Sequence, residues 1–246
     1  MIYQNYFVTG GAGFIGRETV RHLLLNKCRV TVYDDFSFGR KENLEEFKEN
    51  KLLEVITGKV EDSDNLSDKI MRLRPEVIIH LAAIHFIPFC NNNTLETIKI
   101  NVDGTYSVLD AAARFGVKRV MLASSGAIYA SELHCLSEKN DRPSPVDVYG
   151  CSKLLAENIG EYFSHTSSLE VTSMRFFNTY GPFETNKHLI PEIIEQIKKG
   201  NNIFLGNITS KRDYIFTEDI AKAIVMLSEC KNLKKYEVVN IGTGIE

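Results

Sequence analysis

The chain has 246 residues, of which 43% are hydrophobic, and its formal net charge is −3 at pH 7. This length allows one large domain, or one domain with a smaller appendage. The weak negative charge gives no electrostatic basis for binding nucleic acid, and no apolar run approaches the roughly 18 residues of a membrane-spanning helix. We therefore expect neither nucleic acid nor a membrane as a partner.

The cysteines and the N-terminus indicate where the protein works. The five cysteines include no C-x-x-C pair and stand at positions 28, 90, 135, 151 and 230. Such spacing favours reduced thiols over disulfides or a metal site. The N-terminus leads directly into an apolar run and lacks the basic region and apolar core of a signal peptide. The expected location is the cytoplasm, and no metal site is expected.

Strand and helix patterns alternate along the chain. Apolar runs predict strands at 2–8, 28–33, 53–56, 76–83, 117–123, 169–176 and 237–241. Apolar residues at helical spacing predict helices at 17–25, 63–73, 94–115, 146–163, 190–199 and 217–230. Ser63 and Thr217 are the predicted N-caps of two of these helices, and a polar loop is predicted at 131–145. The alternation is typical of a doubly wound α/β fold, in which helices cover both faces of a parallel sheet.

The turn after the first strand carries glycines at a fixed spacing. Gly10, Gly13 and Gly16 match G-x-x-G-x-x-G, a variant of the dinucleotide-binding turn. Because glycine has no side chain, the backbone can turn tightly here and approach a pyrophosphate. The N-terminus of the following helix attracts the same group. Alone, the pattern is equally consistent with an ordinary tight turn.

The residue after the second predicted strand favours the dinucleotide interpretation. Asp34 follows Gly16 by 18 residues, near the spacing at which an acidic side chain binds a ribose 2′-hydroxyl. An acid at this point repels a 2′-phosphate, so NAD is favoured over NADP. The alternative is that Asp34 and Asp35 lie in a solvated loop.

A tyrosine and a lysine share one face of the predicted helix at 146–163. Tyr149 and Lys153 are four residues apart, and an ammonium group near a phenol stabilises the phenolate and lowers the tyrosine pKa. Such a pair can act as a proton acceptor. The spacing alone is more often ordinary helix surface. Ser124 and Ser125, at the end of an earlier strand where parallel sheets bind ligands, favour a site.

Together these motifs resemble the extended branch of the short-chain dehydrogenase/reductase superfamily, the NAD-dependent sugar-nucleotide epimerases and dehydratases. The resemblance runs from about position 7 to 244. It rests on eight motifs in the family's order: the glycine turn 9–16, His80-Leu-Ala-Ala83, Asn101-Val-Asp-Gly-Thr105, Ser124-Ser125 with Ile128-Tyr129, Tyr149-Gly-Cys-Ser-Lys153, Arg175-Phe-Phe-Asn-Thr-Tyr-Gly-Pro182, Arg212-Asp-Tyr-Ile-Phe-Thr-Glu-Asp219 and Asn240-Ile-Gly-Thr-Gly244. The family implies a Rossmann sheet, bound NAD and a nucleotide-sugar substrate.

The resemblance also implies a role for each matching position. The implied catalytic group comprises an acid/base, its lysine partner, a serine that bonds the reacting hydroxyl and an asparagine that supports the active-site backbone: Tyr149, Lys153, Ser125 and Asn101. Without the resemblance, Asn101 reads as an asparagine tolerated on a solvated helix face. The implied substrate contacts are Ser125, Gly126, Tyr149, Asn178 and Arg212. The implied cofactor contacts are Gly10, Gly13, Phe14, Ile15, Gly16, Asp34, Asp35, Lys59, Val60, Leu81, Ala82, Ala83, His85, Ser124, Tyr149, Lys153 and Phe176.

Two positions near the implied cofactor depart from the family pattern. Lys59 stands where relatives usually carry an aspartate that contacts adenine, and Asp62 is a candidate substitute. His85 stands where many epimerases carry lysine or glutamine near the nicotinamide ribose, although simple packing also explains a histidine there.

The chain ends at Glu246, whereas members of this family usually continue for several more elements. We therefore expect an NAD-binding domain at 1–178 and a smaller, incomplete C-terminal substrate-binding region at 179–246. Two Rossmann elements, the helix at 217–230 and the strand at 237–241, return within that second region.

The expected function is epimerisation at C4 of a UDP-sugar through a transient 4-keto intermediate. Dehydratases of the family carry Asp-Glu where this chain has Gly126 and Ala127, which cannot transfer protons. A 4,6-dehydratase, another sugar-nucleotide oxidoreductase and a non-catalytic NAD-binding protein are the alternatives. The family also implies a homodimer that pairs through the helices at 94–115 and 147–163.

Overall fold

Seven parallel strands form the central sheet of the computed structural model, which describes residues 1–130, 135–184, 186, 188–200, 202–206 and 209–245. These strands are β1 (Asn5–Thr9), β2 (Arg29–Asp34), β3 (Leu53–Thr57), β4 (Val77–His80), β5 (Arg119–Ser125), β6 (Glu170–Phe176) and β9 (Tyr236–Ile241). Their spatial order is β3-β2-β1-β4-β5-β6-β9, which is the Rossmann order with one further strand at the edge. A separate parallel pair joins β7 (Asn178–Tyr180) to β8 (Tyr214–Phe216). All seven predicted strands are therefore confirmed.

Two of the predicted strands are shorter in the structure. β1 begins at Asn5 rather than at residue 2, because the Ile2 N–H donates to the carboxylate of Glu229 and not to a neighbouring strand. β4 ends at His80, because the chain leaves the sheet there, and the residues up to Ala83 line a cavity at the sheet edge.

Helices cover both faces of the sheet. They are α1 (Phe14–Leu25), α2 (Ser63–Leu73), α3 (Ile87–Asn92), α4 (Thr94–Ile98), α5 (Gly104–Arg114), α6 (Val148–Thr166), α7 (Leu189–Lys199) and α8 (Thr217–Ser228), with 3₁₀ helices at Lys41–Phe47 and Gly126–Ile128. The sequence pattern predicts neither α3 nor the first 3₁₀ helix, since both are short. Within the described part of the chain, every helix is too short or too polar to cross a membrane.

The predicted helix at 94–115 contains a π turn. α4 leads into the π turn Lys99–Asp103, which leads directly into α5. Such turns insert an extra residue into a helix and frequently lie at functional sites. Asn101 stands at the centre of this one.

Both predicted N-caps are wrong. Asp62, one residue before Ser63, caps α2 and accepts a hydrogen bond from the Asn65 N–H at 3.3 Å; its negative charge also suits the helix N-terminus. Thr217 is already the first residue of α8 and makes no capping bond. Its hydroxyl is buried without a hydrogen-bond partner among the described residues, and a Cβ on Gly181 would lie 2.3 Å from it.

The residues of the central strands are buried on both faces of the sheet. Alternate residues of a strand point to opposite faces. In β4, Ile79 packs in the core under α1 and α8, whereas Ile78 packs in the core under α2, α5 and α6. This arrangement confirms the predicted doubly wound α/β fold.

The predicted surface loop at 131–145 is described in part. Residues 131–134 lie outside the described residues, and residues 135–145 contain no helix or strand.

A buried ion pair joins α6 to β6. The Nε and Nη2 atoms of Arg175 donate to the Glu157 carboxylate at 2.9 and 2.7 Å, and the two side chains are only 6% and 3% exposed. Ser124 Oγ donates to the same carboxylate at 2.5 Å, and Arg175 Nη1 donates to the Tyr129 hydroxyl at 2.5 Å. The pair therefore fixes α6 against the carboxyl ends of β5 and β6.

Replacing Glu157 with alanine tests the importance of this pair. The Arg175 guanidinium would then be buried without its counter-charge, which typically costs about 3–5 kcal/mol. We expect the free energy of unfolding in urea to fall by about this amount. The control is Glu161→Ala, an exposed carboxylate on the same helix, which should change it by less than about 0.5 kcal/mol. Equal effects of the two substitutions would contradict the prediction.

Candidate active site

A cavity of about 1110 Å³ opens at the carboxyl ends of the parallel strands. It lies over the gap between β1 and β4, where the strand order reverses and where open α/β sheets bind ligands. Every predicted cofactor and substrate contact lines this cavity except Lys59. Of the predicted catalytic residues, Asn101 alone does not line it.

Two glycines of the turn at one end of the cavity, Gly10 and Gly16, have no room for a side chain. Gly10 has a φ of 70°, in the left-handed region, and a Cβ there would lie 2.6 Å from the backbone N of Ala82. A Cβ on Gly16 would lie 2.1 Å from the carbonyl oxygen of Gly10. Gly13 precedes α1 and provides no side-chain cap. The first N–H groups of α1 are therefore available to an anion such as a pyrophosphate.

Asp34 ties the end of β2 to this turn. Its Oδ2 accepts from the Ala12 N–H and its Oδ1 from the Phe36 N–H, both at 2.9 Å. Burial raises the pKa of Asp34, and the two backbone hydrogen bonds counteract that rise. A carboxylate oxygen has more than one acceptor site, so Asp34 can also bind a ribose hydroxyl in the cavity. The turn and this carboxylate together fit a dinucleotide whose ribose bears no 2′-phosphate.

The predicted contact of Lys59 with the cofactor has no support in the geometry. Lys59 is exposed and outside the cavity lining, and its carbonyl oxygen accepts from the Tyr33 hydroxyl at 3.2 Å. The candidate substitute, Asp62, is used as the cap of α2. The cavity is lined instead by Val60 and by Glu61, which the sequence pattern did not single out.

The start of α6 is held tightly against the end of β5. Asp147 caps the helix by accepting from the Gly150 N–H at 2.7 Å. A Cβ on Gly150 would lie 2.3 Å from the carbonyl oxygen of Ala127. This close approach is possible because the residue after Tyr149 is glycine, and Tyr149 and Ser125 line the same cavity.

Burial governs the protonation of the Tyr149–Lys153 pair. Lys153 Nζ donates to the Ala123 carbonyl at 2.9 Å and lies 5.9 Å from the centre of the Tyr149 ring. Burial lowers the pKa of Lys153 to about 8. Burial also raises the pKa of Tyr149 to about 12, although the hydrogen bond with Ser125 acts in the opposite direction. The predicted lowering of the tyrosine pKa is therefore not seen, because desolvation outweighs the local stabilisation of the phenolate.

Asn101 supports the site from behind the cavity wall. Its Oδ1 accepts from the Ile84 N–H at 2.8 Å and its Nδ2 donates to the Ile84 carbonyl at 2.9 Å. The same Nδ2 lies 2.9 Å from Ser152 Oγ, which donates to the Tyr149 carbonyl at 2.7 Å. Asn101 thus acts by positioning the backbone on both sides of the cavity.

His80 belongs to a second buried network, which the sequence pattern did not reveal. Thr105 Oγ1 donates to the Asn101 carbonyl at 2.6 Å, so it can only accept from His80 Nε2, 3.1 Å away. His80 Nδ1 then accepts from Thr9 Oγ1 at 2.6 Å, and Thr9 Oγ1 accepts from the Ala82 N–H at 3.3 Å. Burial lowers the pKa of His80 to about 3, in agreement with this neutral tautomer.

His85 lines the cavity and contacts the loop that follows β7. Its Nε2 lies 2.9 Å from Asn186 Nδ2, and burial lowers its pKa to about 4. Two further residues of this loop region, Glu184 and His188, also line the cavity. Their positions follow no helical or strand period, and the sequence pattern did not single them out.

The predicted substrate contacts Asn178 and Arg212 are brought together by the small sheet. The Asn178 N–H donates to the Asp213 carbonyl at 3.1 Å, next to the exposed Arg212. The Asp213 carboxylate accepts from the N–H groups of Thr243 and Gly244 at 2.9 and 2.8 Å. Asn178 and Arg212 thus lie next to each other in the cavity lining, at the end remote from the glycine turn.

The chain is similar to known proteins over the residues that line the cavity. The chain matches the model of the NAD dependent epimerase/dehydratase family over residues 6–242. A putative UDP-glucose 4-epimerase of Methanocaldococcus jannaschii is 32% identical over 97% of this chain and 77% of its own length. A probable UDP-glucuronate 4-epimerase of Rhizobium meliloti is 28% identical over 92% of this chain and 68% of its own. The crystal structure of the Thermotoga maritima UDP-glucose 4-epimerase with UDP-glucose matches with a TM-score of 0.88 at 28% identity, over 98% of this chain and 77% of that one.

Replacing Lys153 with methionine should stabilise the fold. The pKa of Lys153 falls from 10.5 to about 8 on folding, which corresponds to about 3 kcal/mol against folding at pH 7. Loss of the hydrogen bond to Ala123 offsets about 1 kcal/mol. We therefore expect Lys153→Met to raise the free energy of unfolding at pH 7 by about 2 kcal/mol.

The pH dependence gives a second readout for this substitution. Between about pH 8 and 10.5 the unfolded chain holds the Lys153 proton and the folded chain does not, so the wild-type protein gains relative stability as the pH rises. The advantage of Lys153→Met should shrink over this window in urea titrations. The exposed Lys199→Met serves as the control, with no such trend. A variant less stable than the wild type at pH 7 would contradict the prediction.

Proposed function

The chain belongs to the NAD-dependent epimerase/dehydratase family, and we propose that it catalyses the 4-epimerisation of a UDP-sugar through a transient 4-keto intermediate. Its class is that of the NAD-dependent sugar-nucleotide epimerases, as in its relatives. One observation carries the proposal: Tyr149, Lys153 and Ser125 meet at the carboxyl end of β5, in the same cavity as the glycine turn. A proton acceptor and a dinucleotide site therefore face one another.

The residues present fit NAD. The uncapped N-terminus of α1 suits its pyrophosphate, and Asp34 suits an unphosphorylated ribose. When bound, NAD⁺ would supply the acceptor and then the donor of the hydride for the sugar carbon. Lys153 adds a positive charge at the catalytic tyrosine.

Tyr149 moves the proton of the reacting hydroxyl. In its phenolate form it accepts the proton of the sugar 4-hydroxyl, while Ser125, which lines the same cavity, orients that hydroxyl. The product of this oxidation is a 4-keto sugar. When the other face of the carbonyl is reduced, Tyr149 returns the proton to the oxygen, and the configuration at C4 is inverted.

Inversion requires the sugar to turn over without leaving the cavity. Asn178 and Arg212 lie together at the end remote from the glycine turn, where they suit a diphosphate. Holding the diphosphate in place converts the reorientation of the sugar into an intramolecular step.

The cavity lacks the acid that a dehydratase needs. Gly126 and Ala127 form the beginning of the 3₁₀ helix after β5 and line the cavity without an ionisable side chain. Expulsion of water from C5 and C6 needs a general acid at this point. The geometry therefore favours epimerisation over dehydration.

Replacing Tyr149 with phenylalanine tests the proposed reaction. The variant keeps the ring but loses the proton acceptor, so kcat for interconversion of UDP-glucose and UDP-galactose should fall by about 10²–10⁴-fold. NAD content, measured by native mass spectrometry, should be retained. Tyr162→Phe, an exposed tyrosine of the same helix, should leave the rate unchanged. Undiminished epimerisation by Tyr149→Phe, or a 4-keto-6-deoxy product in the proton NMR spectrum of a wild-type reaction, would overturn the proposal.

The proposal includes a homodimer in the cytoplasm. Tyr106 of α5 and Tyr162 of α6 are 51% and 58% exposed, and both rings lie 5.4 Å from the ring of Phe163. They form one apolar patch across two helices, which supports pairing of α5 and α6 with a second copy. All five cysteines are free thiols, in keeping with a reducing compartment.

Light scattering tests the dimer. We expect the wild-type protein to have twice the chain mass of 27.8 kDa, and the double substitution of Tyr106 and Tyr162 by glutamate to yield monomers, because two charges in an apolar interface are desolvated without partners. Met226→Glu, on the exposed face of α8, should leave the dimer intact. A monomeric wild-type protein at micromolar concentration would contradict this part of the proposal.

A further inference from the structure

The described residues of the loop after β7 are 181–184, 186 and 188, and two of them, Glu184 and His188, line the cavity. Phe183 has a φ of 69°, in the left-handed region that non-glycine residues rarely adopt, and its ring centre lies 4.0 Å from the guanidinium carbon of Arg17 in α1. The next residue, Glu184, lines the cavity, and its side chain is only 4% exposed. The contact of Phe183 with α1 thus fixes the point at which Glu184 enters the cavity.

Glu184 lies on the reaction side of the cavity. Two residues of the same loop contact His85. Asn186 Nδ2 lies 2.9 Å from His85 Nε2, and the ring centres of His188 and His85 lie 6.0 Å apart. The charges of Glu184 and Lys153 act on the pKa of His85 in opposite directions. Glu184, His85 and Lys153 all line the cavity, so the contacts of its loop with His85 bring Glu184 to the side of the cavity that His85 forms.

The described partners of Glu184 include no lysine or arginine. Its Oε1 accepts from the Asn186 N–H at 3.4 Å, and its Oε2 lies 3.5 Å from Nδ1 of His188. The lysines and arginines that line the described cavity are Lys153, Lys211 and Arg212. Lys153 donates to a backbone carbonyl, and the other two lie at the diphosphate end. Among the described residues, the end of the cavity near His85 and Glu184 (the sugar end) therefore presents a carboxylate without a matching guanidinium or ammonium group.

We propose that Glu184 makes the site select nucleotide sugars with an uncharged hexose and reject those with a hexuronic acid. The inference rests on the proposed function, because it assumes that the sugar occupies this end of the cavity. A neutral hexose offers hydroxyl groups that donate to the carboxylate, whereas the C6 carboxylate of a hexuronate offers no proton and meets a like charge in a partly desolvated site. Specificity of this kind comes from repulsion of the wrong ligand.

Binding of two sugar nucleotides tests the inference without requiring turnover. We would titrate the NAD-loaded protein with UDP-glucose and with UDP-glucuronate by calorimetry. The wild-type protein should bind UDP-glucose at least about tenfold more tightly. Glu184→Gln, which keeps the shape and removes the charge, should bring the two affinities within about threefold. Glu195→Gln, the same change at an exposed carboxylate on α7, should leave the wild-type ratio.

Each outcome decides between the inference and its alternatives. A wild-type preference for UDP-glucuronate, or a ratio that Glu184→Gln does not change, overturns the role of Glu184. If Glu184→Gln does not fold, Glu184→Ala replaces it in the same titrations. The ratio of the two wild-type affinities is tested in either case. Tight, selective binding of UDP-glucose without any epimerisation would overturn the proposed function alone. Binding of neither sugar nucleotide would overturn both.

Discussion

The side-chain amide of Asn101 holds together parts of the chain that are remote in sequence. Through Ile84 it fixes the loop after β4, and through Ser152 it fixes the first turn of α6. Its backbone carbonyl accepts from Thr105, which continues through His80 to the glycine turn. The cofactor side and the catalytic side are thus placed by one buried hydrogen-bond network. A residue in a regular helix pairs its carbonyl with the N–H four residues on, and the π turn alters this pattern at the position where the network passes.

The site combines groups that are individually unfavourable to bury. The structure desolvates Lys153, Tyr149 and Asp34 in the lining of one cavity, and burial raises the pKa of Tyr149. The protein can hold them because the surrounding sheet is buried on both faces and because α6 is fixed by Glu157 and Arg175. Apolar burial in the core therefore offsets the free-energy cost of desolvating these polar groups at the site.

Much of the fold and part of the site can be predicted from the sequence. The glycine turn, Asp34 and the Tyr149–Lys153 pair are short-range patterns on regular elements, so spacing alone suggests them. Asn101 is different: the helix pattern suggests a tolerated surface residue, and only resemblance to a family indicates its role. Periodicity says nothing of Glu184 and His188, because a loop brings them to the cavity through contacts with distant residues. The direction of the Tyr149 pKa shift cannot be predicted from the sequence pattern, because the burial that causes it depends on the whole fold.

The loop over the cavity has a consequence for how two ligands are handled. Phe183 rests on Arg17, next to the helix end that suits phosphates, while its neighbours reach His85 and the sugar end. If one ligand orders this loop when it binds, the second ligand does not bear the same entropic cost again. Thermodynamic linkage makes this benefit mutual. Cofactor and nucleotide sugar would then bind this site cooperatively. The protein would bind its cofactor most tightly while a nucleotide sugar is present. It would likewise hold the half-reacted sugar most tightly while the cofactor is bound.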